Sequence, residues 1–403
     1  MSNIHRNFFT IKLERSFYII QGVRMNNMKF SRLVLPGVTM IAVTYGLARF
    51  SFGLLLPEIN QSLEMSEFVS GIISSLFYLA YCVTIILSTV ITTREGPRRM
   101  IILAGLSAFV GLLLMGITPN VWVLALDVLL AGGSTGLVSP PYGAAISLWI
   151  KEDQQGKANT WINSGTSFGI ALSGAGAIVL SPNWRLTYLI YAVLTLLILI
   201  WNFRAIPKTG IRTNLMFEKG NLSIQGVKGS IPLVLASLIL GISTAAFWTF
   251  SRSFLEAAGD YSDWQLSGFW IMIGLFGVLG GFSGSLVEKG GLSLAYKSGS
   301  LSIASASIVL SFAPESLLMA YLSAGIFGCS YIFLTGVLLV WGIRVFITNA
   351  SLGIGVPFLL LAVGQVIGSI LAGWFIGTWG YAASFIVYGL VGMTAAFIGP
   401  KKR

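Results

Sequence analysis

The chain has 403 residues, 55% hydrophobic and only 10% charged, with a mean hydropathy of +0.84. Soluble globular chains carry roughly 25% charged residues, so this composition excludes a soluble domain and specifies an all-α integral membrane protein; long, continuous apolar segments also exclude a β-barrel. The net charge of +11 is no nucleic-acid footprint, because Lys and Arg gather in alternate loops while the loops between them carry acid, the positive-inside pattern that predicts both termini in the cytoplasm.

Residues 1–28 mix Arg6, Lys12, Glu14, Arg15 and Arg24 with short apolar runs. Acid in the middle and the lack of a small-residue cleavage site argue against a signal peptide. The segment reads as a dispensable cytoplasmic tail, with Met1, Met25 or Met28 as the start of translation. Twelve apolar spans are predicted near 33–57, 67–91, 99–118, 121–149, 158–180 and 184–203, then 231–257, 264–286, 292–312, 316–345, 351–375 and 379–399. A basic cytoplasmic linker, 204–229, broken by Pro207, Gly210 and Asn214, divides them into two six-helix bundles, 29–203 and 230–403.

In the first span, Arg49 interrupts an apolar run well inside the hydrocarbon. A guanidinium at that depth costs from about 2.5 to more than 10 kcal/mol unless it faces a wet cavity or a partner, and it cannot escape by deprotonating. One reading is a structural group capping carbonyls or bonded to a buried acid; the other is a docking point for an anion. Tyr45 lies one turn before it, and Tyr78 and Tyr81 follow in the second span. Asp127 in the fourth span falls ~7 Å to the outer side of the midplane and Arg49 ~6 Å, at ~1.5 Å per residue, so the two charges could share a level. Ser139-Pro140-Pro141-Tyr142 breaks the fourth span, which suits a bend against a wet pathway.

Gly165, Gly169 and Gly174 in the fifth span, with Asn163 beside them, form a small-residue row that reads as a helix-packing face. The row recurs as Gly364, Gly368 and Gly373, with Gln365 inside it, 199 residues on. Trp184 and Tyr191 correspond to Tyr381 and Tyr388, and the N-terminal Ser66-Glu67 to Ser262-Asp263, at nearly the same spacing. The chain is therefore an internal duplication, an arrangement that puts a binding site between the halves. In the seventh span, Arg252 reads as a snorkelling side chain bonded to Glu256 one turn on, or as an anion lure at the outer mouth. Trp248, Tyr331 and Trp341 could wall an amphipathic solute or simply pack; Arg344 reads as an anchor at the end of the tenth span.

The loop Arg94-Glu95-Gly96-Pro97-Arg98-Arg99 and its copy Gly284-x3-Glu288-Lys289-x-Gly291 resemble the loop motif of the major facilitator superfamily, Gly-x-x-x-Asp-Arg-x-Gly-Arg-Arg/Lys. Thr89 and Thr93 stand where the first-half copy should carry glycine and aspartate, so the lock this acid forms in the family is expected only from Glu288-Lys289. The glycine row of the fifth span is similar to the family's antiporter motif, with Ile170 for the proline and Ser173 for a glycine. The resemblance extends from about Lys29 onward and implies an alternating-access transporter in the bacterial inner membrane. It further implies a cavity lined by the first, fourth, seventh and tenth spans, with Arg94, Gly96, Arg98, Glu288, Lys289 and Gly291 in gating loops. The expected cargo is a small organic anion docking on Arg49, with Tyr45, Tyr78, Asn163, Trp248, Tyr331 and Gln365 around it. Asp127 is expected to pair with Arg49 in the empty site and to take a proton when the anion displaces it. A static Arg49–Asp127 pair, an exporter of amphipathic compounds and a non-transporting membrane sensor or assembly protein are the alternatives.

No phosphate-binding Gly-x4-Gly-Lys-Ser/Thr loop is present, His5 is the lone histidine, and Cys82 and Cys329 both fall inside spans. The expectations are no enzymatic activity, no metal and no cofactor beyond an ion gradient. The bilayer and the solute are the expected partners of a monomer that does not bind nucleic acid.

Overall fold

The computed structural model describes residues 28–208, 224–281, 283–347 and 350–400, and among them the backbone is helical with no strand. The tail up to residue 27 and most of the 204–229 linker lie outside the described residues. The helices are α1 (Phe30–Leu63), α2 (Glu67–Glu95), α3 (Pro97–Ile117), α4 (Val121–Trp149), α5 (Glu152–Leu180), α6 (Trp184–Ala205), α7 (Ile224–Ala258), α8 (Asp263–Gly280), α9 (Ser283–Gly290), α10 (Leu292–Phe312), α11 (Leu317–Val345) and α12 (Ala350–Ala395). Among the described residues, eight stretches are long and apolar enough to cross a membrane. The serine- and glycine-rich α5 and α10, and α8 with its polar Asp263-Trp264-Gln265 opening, are not among them.

Three boundaries differ from expectation. α1 runs past Pro57 to Leu63, because the row Leu54, Leu55, Leu56 and Ile59 is buried and holds the helix against its neighbours beyond the proline. It ends on Glu64 in the left-handed conformation, φ 54°. The predicted eighth span is interrupted after Gly280 and resumes as α9. The last two spans form one 46-residue element broken at Gly380, φ 78°; an unbroken helix of that length would run about 70 Å, more than twice a ~30 Å hydrocarbon core.

The duplication holds at the level of single contacts. A Cβ on Gly165 would lie 2.3 Å from the Val38 carbonyl oxygen, and one on Gly364 2.2 Å from that of Leu238. Gly169 approaches Ala42 as Gly368 approaches Ile242. The first two glycines of each row thus seat α5 on α1 and α12 on α7. The third reaches across the molecule: Gly174 meets Ser267 and Ile271 of α8, and Gly373 meets Glu67 and Phe68 of α2. Tyr191 and Tyr388 each donate to a carbonyl of the adjoining glycine row at 2.5 Å, but one turn apart: Tyr191 to Ser173, and Tyr388 to Gly368, the counterpart of Gly169. Gly96 and Gly291 share φ of 80° and 79°, and each donates its N–H to a carbonyl four residues back, Thr92 or Val287, at 3.0 Å.

The two halves of the chain meet at the end that carries the acidic loops. There Arg252 of α7 is bonded through both terminal nitrogens to Glu58 of α1, at 2.7 and 2.6 Å, and also to the Leu54 carbonyl. The two side chains are 1% and 14% exposed. Sequence spacing points to Glu256 as the partner; the continuation of α1 past Pro57 brings Glu58 there instead. Ser74–Thr249 at 2.7 Å and Ser181–Asp263 at 2.8 Å join the halves at the same end. Toward the basic end the halves part. On α5, Asn163 lies between the row facing α1 (Ile162, Gly165, Gly169) and the row facing α8 (Ser167, Gly174), yet it is exposed, as are Gly143 and Ser147 on α4.

Two outcomes follow. A methyl on Gly169 would sit 2.2 Å from a carbonyl oxygen, whereas one on Gly143 meets nothing within 4 Å; Gly169→Ala lowers the melting temperature, overpacking costing about 1–3 kcal/mol, and Gly143→Ala keeps or raises it, alanine being the better residue inside a helix. Glu58→Gln strands a buried guanidinium, at a cost of about 3–5 kcal/mol, while Glu58→Leu with Arg252→Met recovers most of that. Thermal unfolding of Glu58→Gln, Glu58→Leu, Arg252→Met and the double variant measures the coupling.

Candidate functional site

Arg49 lies in a π-helical stretch of α1, Ala42–Phe50. Such widened turns are rare and frequently mark functional positions. The i→i+5 geometry sets Tyr45 and Phe50 on one side of the helix, their ring centroids 6.4 Å apart. The Arg49 side chain, 6% exposed, runs among these rings. Its guanidinium carbon is 4.5 Å from the centroid of Tyr78, 5.1 Å from Tyr81, 5.2 Å from Phe50 and 5.9 Å from Tyr45.

One terminal nitrogen of Arg49 donates to the side-chain oxygen of Gln365 on α12, at 3.1 Å, and Gln365 donates in turn to the Tyr331 hydroxyl on α11, at 3.3 Å. On the other side, the Tyr45 and Ser139 hydroxyls share a hydrogen bond at 2.9 Å. Trp248 of α7 stacks on Phe50 at 4.1 Å and meets Tyr331 edge-on at 5.0 Å, which closes an aromatic wall. Of the expected site residues, Arg49, Tyr45, Tyr78, Trp248, Tyr331 and Gln365 therefore form one group contributed by both halves of the chain.

The group holds the charge without neutralising it. Each of the four cation–ring contacts is worth about 0.5–2 kcal/mol and the hydrogen bond about 1.5–3, which together are of the same order as the insertion cost. Among the described residues, Arg49 has no ion-pair partner. Its Nε is buried without a hydrogen-bond acceptor, and so is the indole nitrogen of Trp248. Both are donors held among aromatic rings contributed by the two halves of the chain.

Asp127 is not part of the group. It is 2% exposed, lies beside Thr118 at the acidic end of α3, and leaves one carboxylate oxygen unbonded. The expected Arg49–Asp127 pair is not formed: rise per residue fixes a level along a helix but not the direction in which a side chain points. Asn163 also stands apart, with its amide donating to the backbone and side chain of Asn159 one turn back.

The loop residues act locally. Arg98 donates to the carbonyls of Ile206 and, at 2.6 Å, Phe203, with its guanidinium 4.7 Å from the Phe203 ring. It thereby ties the α2–α3 turn to the C-terminal carbonyls of α6, where a cation is favoured. Arg94, Glu288 and Lys289 are exposed and make no ion pair among the described residues. Sequence reasoning missed Phe50 and Glu58. The first follows from the widened helical turn, which no residue pattern announces; the second is hidden because Pro57 reads as a helix end.

The sequence matches the family model described as Major Facilitator Superfamily over residues 38–356. It is 25% identical over 179 residues to "Membrane sensor protein UhpC" of Salmonella typhimurium, a match covering 42% of this chain and 40% of that one. It is 28% identical over 193 residues to "Monosaccharide-sensing protein 1" of Arabidopsis thaliana, covering 43% of this chain and 25% of that one. The matches thus span less than half the length of these curated relatives. In fold, the structure is similar to that of a point mutant of the nucleoside transporter NupG, with a TM-score of 0.72 at 13% identity over 91% of this chain and 98% of that one. It is equally similar to a POT family transporter in complex with 5-aminolevulinic acid, with a TM-score of 0.72 at 15% identity over 90% of this chain and 95% of that one. With a family match that extends over most of its length, the chain is a multi-pass membrane protein belonging to the Major Facilitator Superfamily.

Proposed function

We propose that the protein is a secondary active transporter that moves a small organic anion across the bacterial cytoplasmic membrane by alternating access. In this reading the eight apolar stretches, the second arm of α12 beyond Gly380, and α5, α8 and α10 are counted as twelve crossings in two six-helix bundles. The basic end faces the cytoplasm by the positive-inside rule. The observation that carries the reading is the guanidinium of Arg49, without an ion-pair partner among the described residues, bonded to Gln365 across the two halves and flanked by four rings.

A carboxylate entering from the parted end accepts hydrogen bonds from Arg49 in place of the Gln365 amide oxygen. The released Gln365 and the Trp248 indole then donate to other acceptors on the solute, so the passenger links both halves. Tyr45, Tyr78, Phe50 and Trp248 give it a flat apolar wall. The proton is assigned to Asp127, the one buried carboxylate among the described residues; with no ion pair to Arg49, its coupling to the anion runs through helix movement rather than direct competition.

Arg49→Lys keeps the charge and loses the planar fork, so affinity for a carboxylate solute drops about tenfold, or about 1.4 kcal/mol; competition binding on purified protein measures it, and unchanged affinity refutes the assignment. Asp127→Asn abolishes solute-driven proton movement in proteoliposomes and spares solute exchange; gradient-driven accumulation that survives intact moves the coupling role elsewhere.

A second reading is a membrane sensor of the same fold, favoured by the fact that both curated relatives carry sensing in their names. A sensor gives a ligand-dependent thermal shift that Arg49→Lys weakens, with no counterflow in proteoliposomes. A transporter gives both.

A further inference from the structure

At the basic end, the start of α1 and the end of α6 border an open cavity of about 420 Å³, within the range of small-ligand sites. Arg32 and Arg204 both line it, with Ser31 and Trp201, and its apolar side is formed by Leu35 and Pro36. Its floor is fixed by a buried polar network: Asn202 donates to the Pro36 carbonyl at 3.1 Å and accepts from the Tyr142 hydroxyl at 2.5 Å.

The charge arrangement is one-sided. Two guanidiniums share the cavity, and among the described residues neither has an ion-pair partner. The adjoining segments do not supply a counter-charge by composition: residues 1–27 hold Arg6, Lys12, Arg15 and Arg24 against Glu14, and residues 209–229 hold Arg212, Lys219 and Lys228 against Glu218. Next to the charges, Leu35 and Trp201 are 54% and 43% exposed. Tryptophan at the end of a spanning helix belongs at headgroup level, and exposed leucine one turn into α1 belongs beside acyl chains. A free phosphate would use the arginines and leave this apolar side idle.

From this we infer that the cavity between α1 and α6 binds the headgroup of an anionic phospholipid of the inner leaflet, with the phosphate between Arg32 and Arg204 and the glycerol and upper acyl chain along Leu35, Pro36 and Trp201. Paired guanidiniums suit phosphate oxygens, and basic pockets between spanning helices on the cytoplasmic side are a known form of lipid site. The site is separate from the Arg49 group and does not depend on which solute that group takes.

The test is thermal unfolding of the purified full chain in detergent with added dioleoylphosphatidylglycerol, dioleoylphosphatidylcholine or inorganic phosphate, for the wild type, Arg32→Gln/Arg204→Gln and Arg32→Lys/Arg204→Lys. The expected result is a melting temperature about 2 °C or more higher in phosphatidylglycerol than in phosphatidylcholine, lost in the glutamine variant and largely kept in the lysine variant, with no shift from inorganic phosphate. Equal shifts from the two lipids, or a full phosphatidylglycerol preference in the glutamine variant, overturn the proposal. A matching, arginine-dependent shift from inorganic phosphate replaces the lipid with a free anion and overturns it too. If the double variant does not fold in phosphatidylcholine, Arg32→Gln alone, at an exposed side chain, is expected to lose at least half of the lipid preference, and a preference it keeps in full counts against the site.

Discussion

A guanidinium keeps its proton at any pH a cell meets, so a fold that buries one must supply everything that holds it. Around Arg49 that is four aromatic faces and a single amide oxygen. The rings come from α1 and α2 and the amide from α12, so the environment exists only when both halves of the chain are together. A π-helical turn in α1 and the glycines that let α5 lie against it serve the same end, because they set where the Arg49 side chain emerges. The charge is thus enclosed within the protein, at 6% exposure.

The packing divides into two kinds of contact. Within each half, Gly165, Gly169, Gly364 and Gly368 bring helix backbones to van der Waals contact with a neighbour of the same half. Between the halves the contacts gather at one end: a bidentate ion pair, a few hydroxyl bonds, and the third glycine of each row. The alternating access proposed above requires the second kind to separate and the first to stay. Each glycine row carries both: its first two glycines meet a helix of their own half and its third meets a helix of the other half.

Much of this is legible in the residues. Spacing reveals the duplication, and the contacts at Gly165 and Gly364 repeat it atom for atom in kind. Composition sets the membrane class, and depth alone singles out Arg49. What the sequence does not carry is direction. Rise per residue gives Arg49 and Asp127 a common level, but helix phase and the π-helical turn aim Arg49 at Gln365 and leave Asp127 beside Thr118. The i+4 neighbour of Arg252 is visible in a sequence as a local pair, whereas Glu58, 194 positions away, is not. Pro57 and the short α9 show the same gap: a helix boundary depends on what the flanking turns bury, which tertiary packing decides.

The pair between Arg252 and Glu58 and the charges of the opposite mouth differ in their access to solvent. The first is almost fully enclosed, and Arg94, Glu288 and Lys289 stand in the open. Counter-ions at physiological strength screen exposed charges beyond about 8 Å and reach enclosed ones much less. The two mouths of the molecule therefore respond unequally to ionic strength: added salt softens the repulsion among the basic loops and leaves the opposite closure nearly untouched, which makes the surrounding electrolyte a one-sided influence on how the halves sit.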